Sequence, residues 1–218
     1  MRFEFLRLVT GSPRDGFYPF PIPGSPGFPE FSWLFSGMTF ATEVRADLET
    51  KAGGAIGQNL DHVYDLSAGE RAYLNSLGVG DGTIDLWLAG MNASTVYAGS
   101  AEGHAYTRKY KDLSGRLKRP VLTVHTTTDG LVLPSQETAY REQVAAAGKS
   151  RKLRQVFVES NGHCTLTEQE WLKAIEGIEA RLDTGAWPEP DFYPNNPAAG
   201  LRFVDGFDPG PFPQPPAD

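Results

Sequence analysis

The sequence is poor in three features, and each absence excludes a class of protein. It has one cysteine, Cys164, in 218 residues, which excludes an internal disulfide and a zinc site built from several cysteines. No apolar run approaches the roughly 18 residues that a membrane-spanning helix requires. An excess of basic residues is also missing, since the net charge is -7. Nucleic acids and anionic membranes select for clustered Lys and Arg, so neither is an expected partner.

The composition is that of a soluble globular protein, with 40% hydrophobic and 22% charged residues. The opening stretch, MRFEFLRLVTGSPRDG, does not resemble a signal peptide, because its short apolar part is interrupted by Glu4 and Arg7. A lone cysteine indicates neither an oxidising nor a reducing compartment. The localisation is therefore open from the sequence.

Glycine, proline and hydrophobic periodicity divide the chain into four expected regions. Residues 1–29 hold a possible strand, FEFLRLV, and then a segment in which Gly and Pro forbid regular structure. Residues 30–115 form a helical cap-like region, with helices over ATEVRADLETKAGG and LSAGERAYLNSLGVG that glycine ends. Residues 116–187 form an αβ core. Residues 188–218 are too rich in proline for helix or strand and are expected to form an extended surface tail.

Two strands stand out in the αβ core, PVLTVHT and LRQVFVES, which are short and rich in β-branched residues. A helix follows each of them. PSQETAYREQVAAAGK has Ser135 as its expected N-cap and Gly148 as its stop. An order of strand, helix, strand, helix implies a parallel sheet with right-handed crossovers. The expected fold class is therefore α/β, with a partial parallel sheet and a helical insertion.

The second helix of the core, TLTEQEWLKAIEGIEARLDTG, has two marks of its own. Thr167 with Glu170 three residues later predicts a capping box at its start. An apolar stripe then runs along one face, and we predict that it packs against the sheet. The members of this stripe are Trp171, Ile175, Ile178 and Leu182.

Polar groups follow both strands where they end. Asp129 and then Gly130 come after PVLTVHTTT, and His163 comes after the turn SNG that follows the next strand. In an open parallel sheet, functional groups gather beyond the carboxyl ends of the strands. A carboxylate that orients an imidazole is two thirds of a nucleophilic triad, in which the histidine takes a proton from the nucleophile. We therefore expect Asp129 and His163 to be in contact.

These stretches resemble the C-terminal half of α/β-hydrolases, particularly a group of bacterial, often actinobacterial, hydrolase-like proteins. The resemblance rests on RPVLTVHTTTDGLVLPSQETAY, LRQVFVESNGHCTLT and AIEGIEARLDTGAWP, and NLDHVYDLS is similar to part of the inserted cap of that group. It covers roughly residues 40 to 187 and is specific in the two polar loops. It implies that Asp129 is the acid and His163 the base of a triad, with the nucleophile upstream of both.

The motif G-x-S-x-G, which marks the nucleophile of that fold, is absent. The nearest stretches contain Ser12, Ser25, Ser36 and Ser100, and each lacks one or both glycines. Ser12 is the best candidate nucleophile, because FEFLRLVTGSPRDG places it after a possible strand. The sequence is thus expected to represent the cap and C-terminal half of a hydrolase, with the N-terminal half missing, lost or supplied by another chain.

Other chemistries at these positions are less favoured by the pattern. Cys164 beside His163 is expected to be a small buried apolar residue, because adjacent residues on one loop rarely face each other. A metal site of His125, Asp129 and His163 has no familiar ligand spacing, so no metal and no cofactor are expected. His62 and His104 fall in the cap-like region, where a solvated face and a substrate-side lining both remain open.

The sequence favours hydrolysis of a carboxylic ester or related acyl bond in a small-molecule substrate, with Asp129 and His163 as the working pair. Two other interpretations remain open. The chain is a non-catalytic remnant or subunit that binds a partner or ligand through the surface that the absent strands would cover. Or it is a shortened hydrolase with an unconventional serine. A second chain or self-association completing the sheet is the expected macromolecular partner.

Overall fold

The computed structural model describes residues 2–9, 17–18, 31–32, 37, 39–60, 62–94 and 97–211. The chain divides into two compact units. One comprises residues 1–13, 38–112 and 213–218, and the other comprises residues 14–37 and 113–212. The predicted strand FEFLRLV lies in the first unit, and the predicted αβ core lies in the second.

The first unit is helical in its described part. A π-helix, Phe40–Val44, leads directly into the second α-helix. The α-helices are α1 (Arg2–Val9), α2 (Arg45–Ala52), α3 (Ala68–Ser76), α4 (Asp81–Ser94) and α5 (Ala101–Tyr110). The predicted helix ends at glycine are confirmed, because Gly53 and Gly78 adopt left-handed φ angles of 76° and 86°. The strand predicted at FEFLRLV is wrong, since these residues form α1.

Helix α1 forms because one of its faces is apolar at helical spacing. Phe5 is buried in a cluster with Leu66, Leu74 and Ile84, and Leu8 packs against the same cluster. Phe5 and Leu8 are three residues apart, which places them on one side of a helix but on opposite sides of a strand. Burial against the cluster therefore selects the helix over the strand that the β-rich composition suggested.

The second unit is an α/β structure, as the sequence predicts. Its elements are the two-residue strands β1 (Phe17–Tyr18) and β2 (Phe31–Ser32), β3 (Val121–Thr128), α6 (Ser135–Ala146), β4 (Leu153–Asn161), α7 (Glu168–Thr184), β5 (Asn195–Asn196) and β6 (Leu201–Val204). Short 3₁₀ turns occupy Ser150–Lys152, Pro190–Phe192 and Pro197–Ala199. Helix α6 starts at Ser135 itself, with Pro134 before it as the capping position.

Four strands form one mixed sheet in the order β3-β4-β6-β5. β3 and β4 are parallel, with Val121 opposite Leu153 and His125 opposite Phe157. β6 pairs antiparallel with β4 and places Phe203 opposite Val158. The prediction that residues 188–218 contain neither helix nor strand is therefore wrong. Burial explains the result, because Val158 and Phe203 share a core and are 0% and 2% exposed.

Helix α7 buries a different face from the one that its sequence predicts. The capping box of Thr167 and Glu170 is confirmed, but Trp171 and Ile175 are 48% and 50% exposed. The buried residues of α7 are Glu170, Ala174 and Gly177, at i, i+4 and i+7. Small residues on this face let the helix approach its neighbours closely. A Cβ atom on Gly177 would collide with the hydroxyl oxygen of Tyr193.

Candidate functional site

The side chain of Asp129 is fixed at the carboxyl end of β3. It is 3% exposed. Its Oδ1 atom accepts hydrogen bonds from the backbone N–H groups of Leu131 and Val132, at 2.9 and 3.0 Å. An aspartate that binds backbone amides two and three residues ahead stabilises a tight turn. These two bonds set the orientation of the carboxylate and leave Oδ2 to face another group.

That group is His163, in the turn after β4. The Nδ1 atom of His163 lies 2.7 Å from Oδ2 of Asp129, so the contact predicted from the sequence is present. A carboxylate only accepts hydrogen bonds, which assigns the proton to Nδ1. In the neutral ring, Nε2 is then the nitrogen that accepts a proton. The His163 side chain is 31% exposed, so the imidazole lies partly within reach of solvent.

The threonines of HTTT attach the end of β3 to the histidine turn. The Thr126 hydroxyl donates to the carbonyl oxygen of Gly162 at 2.7 Å, and the Thr128 hydroxyl donates to that of Ser160 at 2.7 Å. The Gly162 N–H group donates back to the Thr128 carbonyl oxygen at 2.9 Å. Three hydrogen bonds across the same few residues hold the two strand ends together. Asp129 and His163, which follow them, therefore meet in a fixed geometry.

The histidine turn has an unusual backbone. Gly162 has a φ of 90°, and Cys164 has a φ of 54°, the only positive φ among the described residues other than glycine. A left-handed conformation is costly for a residue with a Cβ atom and persists only where surrounding contacts impose it. His163 thus has a left-handed residue on each side of it. Contacts from outside the turn hold this conformation.

Cys164 is exposed, so the prediction that it is a buried residue is wrong. Although the residue is exposed, neighbouring atoms keep water from part of its thiol. This desolvation, and then the negative charge of Asp129, raise the pKa of Cys164. Both effects disfavour the thiolate, which is the nucleophilic form of cysteine. The electrostatics of this turn therefore give no support to Cys164 as a nucleophile.

His125 lies near the same carboxylate oxygen. Its Nε2 atom is 4.0 Å from Oδ2 of Asp129, which is too long for a hydrogen bond. Its Nδ1 atom is 2.9 Å from the carbonyl oxygen of Thr126. Among the described residues, no three His, Cys, Asp or Glu side chains are arranged to hold a metal ion.

A buried ion pair beside the histidine turn was missed by the sequence reasoning. Glu170 of α7 is 0% exposed and binds Arg202 of β6 with a separation of 2.9 Å. Burial raises the pKa of Glu170, but hydrogen bonds and charge from Arg202, together with the Thr167 N–H group, outweigh it and leave the pKa below its ordinary value. Glu170 was recognised only as a helix cap. The sequence signal that could have indicated Arg202 as the partner of Glu170 was the apolar, polar, apolar order at the start of the short strand LRFV.

One of the four candidate serines, Ser100, lies within the described residues. Ser12, Ser25 and Ser36 lie outside the described residues. Ser100 is described, and its hydroxyl is the N-cap of α5, where it accepts from the Gly103 N–H group at 2.9 Å and donates to the Ala55 carbonyl oxygen at 3.3 Å. The N-cap role accounts for a serine at this position.

Two cavities of the second unit lie away from the Asp129–His163 pair. One of about 590 Å³ is bordered by α6, β4 and β6, and its lining includes Gln155 and Phe207. Another of about 720 Å³ is lined by residues 189–191, 193–195 and 203–205. Neither lining contains Asp129 or His163, so we assign neither cavity to the candidate site. No helix within the described residues is long and apolar enough to cross a membrane.

Comparison with known proteins gives one partial similarity. The chain is 36% identical over 83 residues to an o-phthalyl amidase of Xanthobacter agilis, a match that covers 37% of this chain and 18% of that protein. The matched part is thus less than a fifth of the relative's length. No known protein family matches the sequence, and no solved structure matches it. The similarity indicates a hydrolase-like protein.

Proposed function

We propose that this chain carries the acid and base of a hydrolase that cleaves carboxylic ester or related acyl bonds, amides included. The observation that supports the proposal most is the 2.7 Å contact between His163 and Asp129 at the ends of adjacent parallel strands. The partial similarity to a protein named as an amidase agrees with acyl chemistry. A small-molecule ester or amide is the proposed substrate.

In the proposed mechanism, Asp129 stays ionised and holds the Nδ1–H of His163. Nε2 takes the proton of a serine hydroxyl as its oxygen attacks the carbonyl carbon of the substrate. The protonated imidazole then gives that proton to the leaving alcohol or amine, and an acyl-enzyme remains. Water, activated by the same histidine, cleaves the acyl-enzyme. The negative charge of Asp129 stabilises the imidazolium in both halves of the reaction.

The nucleophile that we propose is Ser12. The proposal rests on its sequence surroundings, VTGSPRDG, in which glycine precedes it directly. The strand that was expected to present it is replaced by helix α1. The assignment of Ser12 as the nucleophile therefore calls for a direct chemical test.

Labelling with a serine-reactive fluorophosphonate provides that test. We expect the wild-type chain to be labelled at one serine and His163→Ala to lose the label, because an unactivated serine hydroxyl is a weak nucleophile at neutral pH. Ser12→Ala is the variant for the nucleophile, and Ser100→Ala is its matched control. Persistence of the label in Ser12→Ala would replace Ser12 with the serine found by peptide mapping. A wild-type chain that takes no label would contradict turnover by this chain alone.

A second candidate function is that of a subunit that binds another polypeptide. Among the described strands β3 is at the end of the sheet order, and residues 121–128 include no Lys, Arg, Asp or Glu. Proteins protect open edges with charges or proline, whereas interior strands lack them. The exposed apolar face of α7, with Trp171, Ile175 and Leu182, is a further surface suited to a partner. We propose that a second chain or another copy completes the sheet at β3.

Light scattering across a concentration series, combined with hydrogen exchange, tests this candidate. We expect either a dimer, with slow amide exchange throughout residues 121–128, or a monomer in which the amides of this strand that face away from β4 exchange quickly. Pairing protects strand amides, and an open edge leaves them exposed to water. A monomer with fully protected amides throughout β3 would show that the sheet is complete within the chain and would contradict the proposal.

A further inference from the structure

In addition to the threonines of β3, one arginine binds the segment that carries His163 from outside. Arg202 projects from β6, and its Nη1 atom donates to the hydroxyl oxygen of Ser160 at 3.1 Å. Its Nη2 atom donates to the carbonyl oxygen of Thr165 at 3.0 Å. Ser160 is three residues before His163, and Thr165 is two residues after it. One planar guanidinium thus binds both sides of the turn.

The guanidinium is itself fixed by Glu170. Nε of Arg202 donates to Oε1 at 2.9 Å, and Nη2 donates to Oε2 at 3.0 Å. The backbone N–H of Arg202 also donates to Oε1 at 3.0 Å. Two parallel bonds between a guanidinium and a carboxylate define the direction of the fork as well as its distance. Because Glu170 is fully buried, the whole arrangement has little freedom to move.

Contacts within the turn do not replace this external support. The Thr165 hydroxyl donates to the Asn161 carbonyl oxygen at 2.8 Å, and the Ser160 hydroxyl is 2.8 Å from that of Thr165. These bonds join parts of the turn to each other. Arg202 instead joins the turn to β6 and α7. A turn with left-handed residues on both sides of its histidine persists only where surrounding contacts impose it, and Arg202 supplies such contacts in addition to those from β3.

We infer that Arg202, oriented by Glu170, is a positioning residue that fixes the His163 ring against Asp129. The inference rests on the proposed function, since it concerns the same Asp–His pair. Arg202 acts through Ser160 and Thr165. Loss of its fork is expected to let the turn move and to weaken the Nδ1–H···Oδ2 hydrogen bond.

The test observes that hydrogen bond directly by nuclear magnetic resonance. An imidazole N–H bound to a carboxylate gives a proton resonance far downfield of other protons, and exchange with water reports how often the bond opens. Histidine-selective ¹⁵N labelling of the full chain limits the spectrum to four residues. The signal that disappears in His163→Gln identifies His163.

We expect Arg202→Met to broaden the His163 signal away or to speed its exchange by about tenfold or more. Arg154→Met is the matched control, because Arg154 also donates to a carbonyl oxygen, that of Pro188, at 2.8 Å without contact to the turn. It is expected to keep the wild-type signal. Arg202→Lys retains the charge beside Glu170, but one ammonium cannot reproduce the fork. We therefore expect Arg202→Lys to be more stable than Arg202→Met and still to lose the downfield His163 signal.

Unchanged exchange in folded Arg202→Met, or full protection in Arg202→Lys, would overturn the inference. If Arg202→Met fails to fold, Arg202→Lys decides, because it keeps a positive charge beside Glu170 and removes the fork. A missing downfield signal in the wild type would contradict the Asp129–His163 bond itself. The failure of the proposed site is thus distinguished from the failure of the positioning role.

Discussion

Replacement of His163 by alanine is expected to reduce ester or amide hydrolysis by about a thousandfold or more. The variant removes the group that takes the serine proton, and a serine hydroxyl without a base is a poor nucleophile. Asp129→Asn is expected to cause a comparable loss for a different reason. Asparagine retains an oxygen for the Leu131 and Val132 amides. Its amide group then faces Nδ1, which places the imidazole proton on the wrong nitrogen.

The measurement is hydrolysis of a short-chain aryl ester and the matching anilide by the wild type and by both variants. Asp205→Asn is the control for the aspartate change, because Asp205 is an exposed aspartate of the same unit. Circular dichroism checks that each variant is folded. If the wild type is active and His163→Ala retains more than about a tenth of its rate, the assignment of the base is wrong. The TTTDG stretch then has a purely structural role.

Replacement of Glu170 by alanine is expected to destabilise the protein by about 3 kcal/mol. It leaves the Arg202 guanidinium without its carboxylate and removes the acceptor of the Thr167 N–H group. Arg202 is 29% exposed, so its guanidinium is partly hydrated when the carboxylate is removed. The expected destabilisation therefore lies at the low end of the range for buried ion pairs. Asp47→Ala is the control, since its pair with Lys51 is exposed to solvent and exposed pairs contribute little to stability.

The lowered pKa of Glu170 also predicts how stability depends on pH. The folded state binds this proton less readily than the unfolded state, whose carboxyl titrates near the ordinary value of 4.5. The stabilisation is therefore complete above about pH 4.5 and is lost as the pH falls through the lower folded pKa. Glu170→Gln removes this titration, so its stability should fall less steeply in acid. Urea unfolding from pH 3 to 7 measures both effects, and a change below about 1 kcal/mol in Glu170→Ala would contradict the role of the pair.

The sequence alone was sufficient for the features that depend on neighbours along the chain. The capping box of Thr167 and Glu170 lies within four residues, and its hydrogen bonds follow from local geometry. The meeting of Asp129 and His163 was predictable for a related reason. Two successive strands with a helix between them are parallel and adjacent, and their carboxyl ends coincide. Residues directly after both ends are therefore brought together by the topology.

Tertiary structure decided what depends on distant partners. The strand Leu201–Val204 forms because it pairs with an edge of β4. No local sequence pattern shows that this edge is available for pairing. Trp171 and Ile175 on α7 remain exposed, because the sheet side of that helix accommodates the small Ala174 and Gly177. Arg202 reaches the histidine turn only through β6. A sequence specifies which faces are apolar and which turns are tight, but long-range packing selects the face that is buried and the side chains that fix the site.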